Sequence, residues 1–135
     1  MRLKKATKTV AASLTAVVLS LALGTPAFAY DNYFSTNDGD PGGRLYWTAN
    51  GDVVKVCDIE EDGWGVRAYI QHIHNGEYLY SYDVIVGGNG NCTTHQASQG
   101  GVYDLPEGDR VNLYMCLRRT FEGEQYCDER TWANG

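Results

Sequence analysis

The sequence predicts an all-β fold: an antiparallel β-sandwich or partly closed barrel of six to seven short strands, tied by two disulfides. Three observations lead there. After residue 29 the chain holds all ten Tyr, all three Trp and fifteen of the sixteen Gly, but only one Lys and few other strong helix formers. In that part no stretch carries apolar residues at helical spacing, whereas several stretches alternate apolar and polar positions between clusters of turn formers. All four cysteines, Cys57, Cys92, Cys116 and Cys127, also lie there.

The first 29 residues read as an export signal. Arg2, Lys4, Lys5 and Lys8 form a basic head, Val10 to Leu23 is an apolar run, and Ala27-Phe28-Ala29 matches a signal-peptidase site. Cleavage following Ala29 would release a secreted, extracellular protein beginning at Tyr30. Thiols exported into an oxidising compartment pair, so a disulfide framework is expected. The remaining 106 residues suffice for one domain, residues 30–135. They carry seven basic against seventeen acidic side chains, a net charge of −10. That field repels phosphate backbones and anionic lipid, which argues against nucleic acid as a partner. No apolar run after Tyr30 is long enough to span a membrane. A free, acidic, soluble monomer is expected.

Taken in order, residues 30–43 are rich in turn formers, Asn37-Asp38-Gly39-Asp40-Pro41-Gly42-Gly43 above all, and read as a flexible loop. From Arg44, Leu45, Trp47 and Ala49 alternate with Tyr46 and Thr48. Asn50-Gly51 supplies the positive φ angles of a tight hairpin, and a second strand runs through Val53, Val54, Val56 and Cys57 to Ile59. Glu60-Glu61-Asp62-Gly63 turns the chain into a third strand, with Trp64, Val66, Ala68 and Ile70 on one face. Asn75-Gly76 repeats the hairpin signal. In the fourth strand, Tyr78, Tyr80, Tyr82, Val84 and Val86 share a face by the period-2 rule. A Gly- and Asn-rich loop from Gly87 to Gly101 is long enough to reach a second sheet, and a short strand is expected near Val102 to Leu105. Pro106-Glu107-Gly108-Asp109 then turns into Arg110 to Arg119, with Val111, Leu113, Met115 and Leu117 inward. A last hairpin over Glu122-Gly123 leads to Gln125 through Trp132.

Four cysteines allow three pairings, and geometry favours one of them. Counting outward from a turn centred on Phe121 and Glu122 sets Cys116 opposite Cys127, at a separation a cystine can bridge. Cys57 is left for Cys92. A metal site of four thiolates would need a C-x-x-C spacing that is absent.

Candidate functional residues fall into four groups. Asp58, Glu60 and Asp62 stand at alternate positions before Gly63, the first half of a calcium loop, but the twelfth position is Tyr69 where such a loop needs Glu. An acidic β-turn accounts for the same residues, and Asp38 and Asp40 could add ligands only if their loop folds back. His72 and His74 lie two apart on a strand and could form a zinc site with His95, although the Asn75-Gly76 turn explains polar residues there too. No G-x-S-x-G elbow is present, and Ser35, Ser81 and Ser98 have no base suggested beside them. Asp83, inside a strand, is a candidate acid, or a hydrogen-bonded structural group. The tyrosines Tyr78, Tyr80 and Tyr82 form a ladder that either fills the core or presents a platform for sugars or a protein. Trp47, Trp64 and Trp132 read as core.

The runs Asp38-Gly39-Asp40-Pro41-Gly42-Gly43, Asn50-Gly51-Asp52, Val56-Cys57-Asp58 and Asp62-Gly63-Trp64-Gly65-Val66-Arg67 resemble a group of small secreted actinobacterial (Streptomyces-like) proteins. The resemblance implies the signal peptide, the cysteines and the short strands over most of the mature chain. It brings no catalytic residues. The Trp-Arg-Tyr signature of the small actinobacterial amylase inhibitors, which are two-disulfide β-sandwiches, is absent.

Together these features lead to an extracellular binding module for a protein or polysaccharide, with no cofactor. The alternatives are a small secreted hydrolase using Asp or His groups and a calcium-dependent extracellular module.

Overall fold

The computed structural model describes residues 29–135, so the expected export segment lies outside the described residues except for Ala29. Eight strands form two four-stranded antiparallel sheets. The strands are β1 (Asn32–Ser35), β2 (Gly43–Thr48), β3 (Val53–Asp58), β4 (Gly65–His74), β5 (Glu77–Val86), β6 (Cys92–His95), β7 (Arg110–Arg119) and β8 (Gly123–Ala133). The first sheet has the order β1-β2-β3-β6 and the second β5-β4-β7-β8. The chain therefore crosses between sheets three times, through residues 59–64, 87–91 and 96–109. Two short 3₁₀ turns, Ala97–Gln99 and Gly101–Tyr103, occupy the last crossover.

Period-2 apolar patterning places the core. Leu45 and Trp47 of β2 and Val54 and Val56 of β3 face Val66, Ala68 and Ile70 of β4 and Val111, Leu113, Met115 and Leu117 of β7. Trp47 is fully buried, while Trp64 and Trp132 pack against the margin of this cluster.

Both expected disulfides are present, and they leave no free cysteine. Cys57 and Cys92 are directly opposed in the β3–β6 register. The second bridge is reached by a compensation. The β7–β8 loop has three residues, Thr120, Phe121 and Glu122, so Arg119 pairs with Gly123, one residue away from the expected register. An irregularity between Met115 and Leu117, with Tyr126 at φ 54°, adds a residue to β8 and restores Cys127 to Cys116.

Several expectations are corrected. There are eight strands, because residues 30–43 are not simply a flexible loop. Asn32–Ser35 pairs with β2, and Phe34 is buried against Trp132 at a centroid distance of 5.9 Å. The turn formers only return the chain, and Gly43 lets β2 pack closely there, since a Cβ would crowd the Thr36 and Val66 methyl groups at 3.0 Å. Strand β6 emerges inside the glycine-rich loop, while Gly101–Tyr103 is a 3₁₀ turn where a strand was expected; Leu105 just after it is buried. The Asn50-Gly51 turn is a four-residue loop from Ala49 to Asp52, and its positive φ angles fall on Gly51 and Asp52. Asn75-Gly76 forms the expected two-residue hairpin, with both residues at positive φ.

The tyrosine ladder is broken. Between Ile70 and Gln71 the β4–β5 register slips, pairing Ile70 with Tyr82 and Gln71 with Tyr80, so Ser81 is the extra residue. Tyr82 remains inward with Val84 and Val86, whereas Tyr80 and Tyr78 turn to the outer face.

The two bridges close loops of 35 and 11 residues. Chain entropy then predicts a loss of about 4 kcal/mol for the double Ala variant of Cys57 and Cys92, and about 3 kcal/mol for Cys116 and Cys127. Urea denaturation of the two variants checks the order; a larger loss for the shorter loop would contradict it.

Candidate functional site

The outer face of the β5-β4-β7-β8 sheet is the best-organised polar surface. Inward positions of β4 are apolar, so the alternate positions Arg67, Tyr69 and Gln71 point outward. Arg67 is the centre. Its guanidinium reaches Asp83 at 2.9 Å and Glu124 at 3.3 Å, and it lies 4.6 Å from the centre of the Tyr69 ring. The Tyr69 hydroxyl donates to Glu124 at 2.6 Å, and the Tyr80 hydroxyl donates to Asp83 at 2.9 Å. Tyr114 packs beside Tyr69 at 5.9 Å, and Asn112 donates to Gln71 at 3.1 Å while accepting from the Thr131 hydroxyl at 2.8 Å. Neighbouring strands thus hold three outward tyrosine rings, Tyr69, Tyr80 and Tyr114, in fixed orientations. Tyr78 and Tyr80 are 58% and 60% exposed, and Ile85, further along β5 opposite Arg67, is also open to solvent.

This network sets the charges. Hydrogen bonding from Tyr80 and the Arg67 guanidinium hold the Asp83 carboxyl below its usual range. Burial, then the hydrogen bond to Glu124, pushes Tyr69 up to about 12. Asp83 is therefore an ionised acceptor with its partners in place, a poor general acid near neutral pH. His72 and His74, the other expected hydrolase groups, are separately engaged, by Ser81 and by Asp109, each at 3.0 Å.

His95 lies elsewhere again, stacked on Tyr103 at 4.2 Å with its edge toward Tyr82. The three histidines do not gather. Among the described residues one group could share a cation, Asp38, Glu60 and Asp62, whose oxygens lie within 4.8 Å of one another. Glu60 and Asp62 of the expected calcium-loop set are in this group; the loop bearing Asp38 folds back to join them, while Asp58 is buried. Thr36 and Gly42 donate to Asp38, and the Trp64 N–H donates to Asp62. Burial, followed by the adjacent Asp40 and Asp62, raises the Glu60 pKa.

No family model, curated protein or solved structure matches the chain. Its own geometry is what bears on function.

Sequence reading missed a buried polar centre at one end of the sandwich. Asp52 and Asn134 are fully buried, and Asp52 Oδ2 accepts from the Leu105 N–H at 2.8 Å. Asp52 Oδ1, the Tyr82 hydroxyl and the Trp47 ring nitrogen have no hydrogen-bond partner. The Asn50-Gly51-Asp52 turn gave a local signal for a chain reversal, but the burial of Asp52 comes from residues 97–105 folding over it.

Burial raises the Asp52 pKa, so ionisation is opposed in the folded state. An acid whose folded pKa lies above its unfolded 3.8 contributes fully below that value, and its contribution declines as pH rises through the folded pKa. Asp52→Asn keeps an acceptor for Leu105 and removes the charge. It is expected to raise the melting temperature at pH 7 relative to wild type, with the gain shrinking toward pH 3. An unchanged or lower melting temperature at pH 7 would contradict the assignment.

Proposed function

We propose that this protein is a secreted extracellular binding module that holds a neutral polysaccharide against the outer face of the β5-β4-β7-β8 sheet. One observation carries the reading: Tyr78 and Tyr80 stand more than half exposed on the same face as the fixed Arg67, Tyr69, Asp83 and Glu124 network. Tyrosine presents rigid contact area at low entropic cost, and its ring packs against the C–H face of a sugar. Carboxylates and amides between the rings, from Asp83, Glu124, Gln71 and Asn112, are acceptors and donors for hydroxyl groups. The strongly acidic composition disfavours an anionic polymer.

The two disulfides and the paired sheet support recognition by a preformed surface, with little ordering cost on binding. Asp83 with its acceptor sites engaged and the separated histidines give the hydrolase alternative no assembled acid–base pair.

Retention of the mature protein on insoluble cellulose, chitin, xylan and starch tests the reading. At least one polymer is expected to retain it, and Tyr78→Ala with Tyr80→Ala together should weaken retention at least tenfold, about 1.4 kcal/mol, while leaving the melting temperature near wild type. No retention on any polymer, or retention indifferent to both substitutions, would overturn it.

A further inference from the structure

At the sandwich end where β3 and β5 finish, the crossovers 59–64 and 87–91 run close together. The Asp58 N–H donates to Asn91 O at 3.0 Å, and the Gly90 N–H donates to Asp58 O at 2.9 Å. Between them lies a cleft of about 550 Å³ whose ionisable lining is entirely acidic, Asp58, Glu60 and Glu61, with Trp64 beside them. A second depression, of about 250 Å³, shares Gly63, Gly65 and Gly87 with the first and is lined by Arg118 and Arg119. The two depressions therefore adjoin across these glycines, the first lined by acidic and the second by basic side chains.

The floor between them is bare backbone. Gly65 is required there, because a Cβ would lie 2.9 Å from Val86 O. Gly63 is held at φ 77°, and a Cβ on it would meet the Arg119 guanidinium at 3.1 Å. These positions are packed by the chain's own atoms, so the strip of main chain between the two charged linings is fixed in place.

Each end offers one group with unused capacity. Asp58 is 1% exposed, and its Oδ2 has no hydrogen-bond partner, while Oδ1 accepts from the Glu60 N–H at 3.4 Å. A desolvated carboxylate oxygen in this state gains strongly from an incoming charged donor. Burial raises the Asp58 pKa, opposed by the Glu60 and Gly88 N–H groups beside the carboxylate and assisted by the nearby Asp62. At the other end Arg119 is engaged, with Asp62 O at 2.7 Å, Gly63 O at 3.3 Å, Glu122 at 3.2 Å and the Trp64 ring at 4.6 Å. Arg118 is exposed and makes no ion pair among the described residues.

We propose that the two depressions together form a groove that binds a zwitterionic ligand, an amino acid or short peptide whose ammonium group lies against Asp58 and Glu61 and whose carboxylate meets Arg118. Trp64 adds an aromatic wall at the cationic end of the ligand. The site uses neither Tyr78 nor Tyr80, and it stands or falls independently of the polysaccharide reading.

The test is a titration of the ¹⁵N-labelled mature protein, both disulfides intact, followed at the amides of Gly63, Gly65 and Gly87. Glycine and triglycine are the zwitterionic probes. N-acetyl-triglycine lacks the ammonium and triglycinamide lacks the carboxylate. Saturable shifts are expected with at least one zwitterion, and each capped form should bind at least tenfold more weakly. Glycine binding as tightly as triglycine assigns the groove to free amino acids; tighter triglycine binding assigns it to peptides. Arg118→Gln should weaken the zwitterion to the level of triglycinamide and leave triglycinamide itself unchanged. Asp58→Asn should remove the preference for a free ammonium, and where that buried substitution unfolds the protein, Glu61→Gln at the cleft rim should lower affinity severalfold. No saturable shift with either zwitterion, capped forms binding equally well, or an Arg118→Gln variant indistinguishable from wild type would overturn the proposal.

Discussion

The Cys57–Cys92 bridge is the constraint on which most of this architecture depends. It joins β3 to β6, a four-residue strand that makes only a short ladder and would contribute little by itself. Through that tie the 87–91 crossover is held against Asp58, and the following segment is carried back over Asp52. Both ends of the sandwich are shaped by it: the glycine-floored groove at one, the buried polar centre at the other. The Cys116–Cys127 bridge has a narrower task, clamping β7 to β8 across a local irregularity.

Within that frame the two faces of the second sheet divide the work. Its inner face supplies Val66, Ala68, Ile70, Val111, Leu113 and Met115 to a core in which each fully buried Val, Leu, Ile or Met side chain contributes about 1.5 to 3 kcal/mol and Ala68 less. Its outer face is a lattice of hydrogen bonds among Arg67, Tyr69, Tyr80, Asp83 and Glu124. Those exposed ion pairs add little stability, so their effect is to hold orientation. One register slip at Ser81 links the two faces, because it turns Tyr80 and Tyr78 outward while Tyr82 stays in the core.

What could be read in the sequence follows from how local each determinant is. The inward rows of β2, β4 and β7 were legible because period-2 alternation is a property of consecutive residues, and the Asn75-Gly76 hairpin because two adjacent residues encode it. The Cys116–Cys127 pair came from counting around a turn placed one residue off, an error the irregularity at Tyr126 cancels, and Cys57–Cys92 followed by elimination. Strand β1 was hidden by the turn formers that follow it, although Phe34 was an apolar signal in their midst. The slip at Ser81 could not be read, since nothing in Tyr80-Ser81-Tyr82 departs from alternation; the partner strand decides it. The acidic group joins Asp38 to residues more than twenty positions later, and the groove joins three distant segments. Neither has a spacing to detect.

Because the tyrosine-bearing face and the glycine-floored groove both depend on this covalent frame, the pairing of the cysteines is the most direct thing to measure. Tryptic cleavage at Arg67, Arg110, Arg118, Arg119 and Arg130 places the four cysteines on four different peptides. Mass spectrometry of the non-reduced digest should find the Cys57 peptide joined to that of Cys92, and the Cys116 peptide joined to that of Cys127. Any other pairing, or four free thiols, would contradict the account.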